Sequence, residues 1–277
     1  MSNIFEGRVA IVTGGGQGIG ASICAAFAGE GATIAVVDIA GAQASTVAAA
    51  ISARGGTARA FAIDVADPAA VDAVCASVAN AFGGIDVVVN NAGIDISRAV
   101  ENMSQDDWQR VLDVNLTGPM NFTRASVPYL RRRAGAAIVN VSSLAGKRLA
   151  YNGGANYTAA KSGLMGLTRQ SALELAAYGI RVNAVCPGPV LTPMMKNVMS
   201  QAEIDEVLKL LPLGRWVMPE EVADAVLFFA GPGAAMCTGT DIDVDGGFSV
   251  TYGIPFEDYF KRRGVAYEAA KPPPSER

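Results

Sequence analysis

The chain contains no histidine, and this absence narrows its chemistry sharply. Neither a Ser-His-Asp or Cys-His nucleophile system nor an imidazole metal site can be assembled from it. Proton transfer near neutral pH must fall to a tuned Tyr, Lys, Asp, Glu or Cys. Charge is sparse too: charged residues make up 17% of the chain and the formal net charge is −4. The basic run Arg131 to Arg133 is only three residues long and suits a solvated helix end, so no footprint for nucleic acid is present. No apolar run approaches membrane-spanning length, and Met1 to Glu6 lack the pattern of an export signal. The cysteines Cys24, Cys75, Cys186 and Cys237 have no Cys-x-x-Cys spacing. Reduced thiols in a cytoplasmic protein are the expectation.

What is present is apolar and periodic. Over 277 residues, 51% are hydrophobic, enough for a sizeable core in one globular domain. Short β-branched runs alternate with longer Ala-rich stretches of helical period, the pattern of a parallel sheet covered on both faces. Strands are expected at 9–13, 33–37, 58–62, 86–90, 137–141, 181–186 and 241–244. Helices are expected at 18–28, 43–53, 69–82, 105–131, 155–178 and 220–230, with Asp67-Pro68 and Pro219 as starts. The order is that of an α/β, doubly wound, seven-stranded parallel sheet. Residues 1–250 read as one dinucleotide-binding catalytic domain. A break in the alternation near 190–215 reads as a substrate lid. An aromatic and charged extension follows at 251–277, its last residues expected to be disordered.

The first strand runs into Thr13-Gly14-Gly15-Gly16-Gln17-Gly18-Ile19-Gly20 and then a helix, so bare backbone amides can approach a pyrophosphate. The spacing is Gly-x-x-x-Gly-x-Gly, and the Gly-x-Gly-x-x-Gly of longer-chain dehydrogenases cannot be aligned on it. Asp38 ends the second strand, where a carboxylate accepts hydrogen bonds from ribose hydroxyls and repels a 2′-phosphate. No basic residue stands among Gly15, Gly16, Gln17, Ile39, Ala40 or Gly41, which favours NAD over NADP. Tyr157 and Lys161 are four apart and share one helix face. A cation so close is expected to pull the phenol below its free value of about 10. Tyr267 and Lys271 have the same spacing without any cofactor context, so the spacing alone is weak.

The glycine loop, Asp64-Val65, Asn90-Asn91-Ala92-Gly93, Asn115, Ser142-Ser143, Tyr157 with Lys161, and Pro187-Gly188 stand in an order that resembles the short-chain dehydrogenase/reductase family, over residues 6–248. The resemblance implies a Rossmann-type fold and a metal-free NAD-dependent alcohol dehydrogenase or ketone reductase. It implies that Tyr157 exchanges the proton with the substrate oxygen, that Lys161 holds the nicotinamide ribose and tunes Tyr157, and that Ser143 bonds the substrate oxygen. Asn115 would hold open a helix and bind a water linking Lys161 to solvent. Gly14, Gln17, Gly18, Ile19, Gly20 and Asp38 would hold the cofactor together with Asp64 and Val65 at the adenine and Asn91, Ala92 and Gly93 along the cleft. Pro187, Gly188, Val190 and Thr192 would contact the nicotinamide. In the family the serine usually lies one residue closer to the tyrosine than the fourteen that separate Ser143 from Tyr157. This reads as an insertion within 147–156 and leaves Ser142 as an alternative.

Leu191, Met194, Met195, Val198, Met199, Leu208, Leu211 and Leu149-Ala150-Tyr151 suggest a small apolar or cyclic alcohol or ketone, although the same residues suit a lid-packing core. A ketone or 3-oxoacyl-thioester reductase, or a non-catalytic NAD sensor, are the rival readings. The family implies a homotetramer, with helices around 105–131 and 155–178 as one interface. The aromatic tail from Tyr252 to Tyr267 is expected to pack over a substrate lobe, its own or a neighbour's.

Overall fold

Apolar residues on successive strand positions point to opposite faces, and here both faces are packed. In β1 (Val9–Thr13), Ala10 and Val12 enter one core while Val9 and Ile11 enter the other. Ile34 and Val36 of β2 (Thr33–Asp38) divide from Ala35 and Val37 in the same way. Such strands cannot face water on either side, which is why they lack alternating polarity. The computed structural model describes residues 3–150, 153–192, 199–251 and 253–264.

The sheet has seven strands in the order β3-β2-β1-β4-β5-β6-β7, every neighbouring pair parallel. The remaining strands are β3 (Thr57–Ala62), β4 (Val87–Asn90), β5 (Ala137–Val141), β6 (Arg181–Pro187) and β7 (Asp241–Val244). On one face lie α1 (Gly18–Gly29) and α2 (Gly41–Ala53). On the other lie α3 (Pro68–Phe82), α5 (Gly118–Leu130) and α6 (Ala155–Leu175). Asp67 caps α3 by accepting from Ala69 and Ala70 N–H, with Pro68 in the first turn, as its sequence indicated.

The expected helix at 105–131 is divided. It runs as α4 (Gln105–Leu112), a π-helical segment (Asp113–Thr117) and α5. The wider turn falls on Asn115, whose side chain is drawn out of the helical surface toward Ile94, and Gly118-Pro119 opens α5 without interrupting the path. The expected lid contains α7 (Gln201–Leu208), started by a reciprocal capping box between Ser200 and Glu203. Chain then returns to the sheet through Val217, bridged to Val190, and α8 (Pro219–Ala230), which packs in the same core as α1. Leu211, which the sequence suggested for a substrate surface or a packing core, is buried and packs at Gly246. Met194, Met195, Val198 and Tyr151 lie outside the described residues, as do 265–277, which include the last residues, 271–277, where disorder was expected.

The extension carries a short helix, α9 (Phe256–Lys261), absent from the sequence reading. Phe256 N–H donates to the carbonyl of Lys209 at 3.0 Å, which ties α9 to the end of α7. Phe256, Tyr259 and Phe260 pack edge-on, and the Arg263 guanidinium lies 3.8 Å over the Tyr259 ring.

One cation seals the far side of the sheet. Arg181 donates to four carbonyls at the C-terminal end of α8 and beyond it, those of Phe229, Ala230, Gly231 and Ala234, at 2.5 to 3.3 Å. These are the acceptors that a helix end leaves without partners. Arg181→Met, which keeps the apolar stem, is expected to cost about 2–4 kcal/mol, read as a lower urea midpoint at unchanged slope.

Candidate active site

The β1 and β4 crossovers leave the sheet in opposite directions, and a crevice opens where they part. A cleft of about 370 Å³ lies there. Gly14, Gln17, Gly18, Ile19, Gly20, Asp38, Asp64, Val65, Asn91, Ala92, Gly93 and Thr192 all line it. The loop closes only because side chains are missing. A Cβ on Gly20 would lie 2.0 Å from the carbonyl oxygen of Gly14, and Gly14 itself has φ +62° and no room beside Ala92. Thr13 Oγ1 accepts the N–H groups of Asn91 and Ala92, and the Asn91 amide donates to the carbonyls of Thr13 and Gly14. The two loops are thereby stitched into one wall.

Asp38 is locked by the same kind of bond. Its Oδ2 accepts Gly16 N–H and its Oδ1 accepts Ala40 N–H, both at 2.9 Å. A Cβ on Gly16 would stand 2.9 Å from that Oδ2, so glycine there is what lets the carboxylate sit at the cleft. The donor set fits a dinucleotide: bare amides at the start of α1 for phosphates and a fixed carboxylate for a ribose. Asp64 lines the cleft with its carboxylate tied to Ala66 N–H and to Arg110 at 2.8 Å. Arg110 was missed in the sequence, since nothing in its spacing sets it apart from other helix-surface arginines. Ile39, Ile63, Ile94 and Val114 complete the lining. Of the segment ending β6, Thr192 reaches the cleft opposite Gly18. Pro187, Gly188 and Val190 support it: Gly188 N–H donates to Val244, and Val190 is held against Val217.

Ser143, Tyr157 and Lys161 come together at the Gly93 end. The Tyr157 side chain is hydrogen-bonded to Ser143. Ser142 instead turns away, its hydroxyl donating to the carbonyl of Lys161 within the core, so of the two serines Ser143 is the one at the tyrosine. The turn after Ser143 is anchored by Lys147, whose ammonium lies between Asp241 and Asp243 of β7. Cys186 adjoins that acidic pair, and burial pushes its thiol up to about 12. Lys147 thus supplies the cation in a place where three residues able to ligate a metal meet.

Lys161 is fully buried and donates to the carbonyl of Val141 at 2.9 Å. Its ammonium lies 5.6 Å from the centre of the Tyr157 ring, and burial lowers its pKa to about 8. The sequence led us to expect that Lys161 would draw Tyr157 below its ordinary value. In the structure the direction is reversed. Burial pushes the phenol upward, the Ser143 hydrogen bond lowers it, and the charge of Asp95 raises it again. Desolvation by burial is the largest of these effects, and the Lys161 ammonium donates to the Val141 carbonyl. Asn115 bonds both backbone groups of Ile94, at 3.0 and 2.7 Å, so its side chain is committed to holding the loop after β4. A Cβ on Gly93 would stand 2.7 Å from its Oδ1.

The family model described as enoyl-(acyl carrier protein) reductase matches residues 14–249. A D-threitol dehydrogenase of Mycolicibacterium smegmatis is 39% identical, the match covering 89% of this chain and 94% of that protein. A 3-oxoacyl-[acyl-carrier-protein] reductase of Thermotoga maritima is 38% identical, covering 89% and 99%. A cyclohexanol dehydrogenase of Acinetobacter sp. is 38% identical, covering 90% and 98%.

A buried lysine with a lowered pKa has a definite linkage. Between about 8 in the fold and the ordinary value of about 10.4 in the unfolded chain, the unfolded state binds more protons, so stability rises with pH. Lys161→Met removes this response. The stability of the parent relative to that variant should therefore climb from pH 8 to pH 10.5, measured by urea unfolding of both at each pH.

Proposed function

The chain belongs to the short-chain dehydrogenase/reductase family, and from that premise we propose that it is an NAD-dependent oxidoreductase acting on a small apolar or cyclic secondary alcohol or its ketone. The observation that carries this reading is the convergence of Ser143, Tyr157 and Lys161 at one end of a cleft whose other end presents Asp38. The nicotinamide supplies the hydride chemistry when bound. The chain's own work is binding, orientation and proton transfer.

Gly14, Gln17, Gly18, Ile19 and Gly20 hold the pyrophosphate through amides, and Asp38 accepts from the ribose hydroxyls. Asp64 and Val65 flank the adenine; Asn91, Ala92 and Gly93 form the cleft wall. Thr192, carried by Pro187, Gly188 and Val190, would contact the nicotinamide when it is bound. Tyr157 takes the carbinol proton in oxidation and returns it in reduction, while Ser143 fixes the substrate oxygen by its hydroxyl. Lys161 holds the nicotinamide ribose. Asn115 keeps the loop at Ile94 in register with these groups. Because burial holds Tyr157 high, oxidation, which needs the phenolate, should quicken toward alkaline pH, and reduction, which needs the phenol, should persist at neutral pH.

The fixed Asp38 carboxylate disfavours a 2′-phosphate, and the cleft's arginine, Arg110, is already paired with Asp64; both support NAD over NADP. The region around α7 serves as the lid. The enzyme acts in the cytoplasm as a homotetramer, with α4, α5 and α6 at one interface; Met120 and Leu173 stand exposed there. Reduction of a 3-oxoacyl thioester is the second reading, favoured by the likeness to the Thermotoga maritima reductase. A non-catalytic sensor is disfavoured by the intact Ser143, Tyr157 and Lys161.

The test is formation of NADH at 340 nm across a panel of secondary alcohols, with NADP in parallel. Tyr157→Phe should lower turnover by a factor on the order of a thousand or more while NAD still binds. Comparable turnover in that variant would remove the role given to Tyr157.

A further inference from the structure

Asp95 stands in the loop leaving β4, and both its neighbours are fastened by side chains of the site. Asn115 holds Ile94 by its N–H and its carbonyl. Asn156, whose Oδ1 accepts the N–H of Tyr157, donates to the carbonyl of Ile96 at 3.1 Å. The backbone at Asp95 is thus positioned by the start of the helix that bears Tyr157 and by the π-helical turn that bears Asn115.

The carboxylate is aimed as well as anchored. Its Oδ2 accepts the Ser97 hydroxyl at 2.7 Å, and its Oδ1 accepts Gly154 N–H at 3.4 Å. A Cβ on Gly153 would lie 3.4 Å from Asp95 Oδ2 and 3.2 Å from Cδ1 of Tyr157. The exposed carboxylate and the tyrosine ring therefore both border the same backbone position. Among the described residues no cation pairs with Asp95; Arg98, close by in sequence, is paired with Asp107. An anion at this point raises the pKa of Tyr157, which a neutral residue filling the same turn would not do. Each carboxylate oxygen accepts one bond within the loop and keeps a lone pair for another donor.

We propose that Asp95 is a specificity residue, accepting a hydrogen bond from a hydroxyl on the carbon beside the one that exchanges hydride. The substrate is then a vicinal diol, or the matching hydroxyketone, on the small and otherwise apolar skeleton proposed above. The inference rests on that reading of the site. A bond to an ionised acceptor is stronger than a neutral one, and a site built around a substrate hydroxyl discriminates against the analogue that lacks it. The same charge repels a substrate with a carboxylate in that position.

Trans- and cis-1,2-cyclohexanediol are compared with cyclohexanol as substrates with NAD, in the parent chain and in Asp95→Asn and Asp95→Leu. The asparagine keeps an acceptor for the loop, so the comparison survives if the leucine variant folds poorly; thermal unfolding checks both. The expected result is a ratio of kcat/KM, preferred diol over cyclohexanol, on the order of tenfold or more in the parent, falling toward one in the variants. An unchanged ratio in both variants overturns the proposal. Binding is read separately by calorimetry on Tyr157→Phe saturated with NADH, with and without Asp95→Asn. Equal binding of diol and cyclohexanol overturns the assignment of Asp95 even if both are oxidised. Preferential binding of a diol that depends on Asp95, without oxidation of any alcohol, upholds Asp95 and removes the hydride-transfer reading instead.

Discussion

Everything at the cleft depends on how closely two loops approach where the β1 and β4 crossovers diverge. Gly14 and Gly20 meet with no space for a side chain, and Thr13 and Asn91 bond the β1 loop to the β4 loop. Were those loops farther apart, the amides at the start of α1 would not face the wall formed by Asn91 to Gly93. The approach also sets a chain of positions. Asn91 is followed by Gly93, which leaves room for Asn115, which grips Ile94. One close contact between backbones thus fixes both the glycine-loop end and the Gly93 end of the crevice.

The second end is built from groups that are poorly solvated. Lys161 is buried with one carbonyl partner, and Tyr157 is held by Ser143. A buried ammonium is destabilising in the absence of an anion. Such a site has low intrinsic stability and a proton affinity far from that of the free side chains, the condition under which a tyrosine or lysine becomes useful for acid-base work. The surrounding order, two packed cores on either face of a parallel sheet and Arg181 across the end of α8, holds these groups in place.

The comparisons agree on the family and diverge on chemistry, since the relatives include a D-threitol dehydrogenase, a cyclohexanol dehydrogenase and a 3-oxoacyl-[acyl-carrier-protein] reductase by name. That divergence is physical. Under the proposed function the glycine loop, Tyr157 and Lys161 would meet the cofactor and the carbinol, which such reactions share, whereas the remaining contacts would come from the β4 loop, the turn after Ser143 and the region around α7.

The sequence by itself determined the seven strands, their parallel order of alternation with helices, and the candidates in the glycine loop, Asp38, the pair Ser142-Ser143, Tyr157 and Lys161. Those features have local causes: β-branched runs, a capping Asp67-Pro68, glycines at fixed spacing, two residues on one helix face. Tertiary structure alone decided the rest. It placed a π turn at Asn115, because the bond to Ile94 comes from a loop 21 residues away. It chose Ser143 over Ser142, because only packing against α6 tells the two hydroxyls apart. It brought Arg110 to Asp64 and Asp95 to Tyr157 by closing loops that carry no periodic signal. It reversed the expected shift of Tyr157, since the spacing of Tyr157 and Lys161 reports their proximity but not the burial that outweighs it.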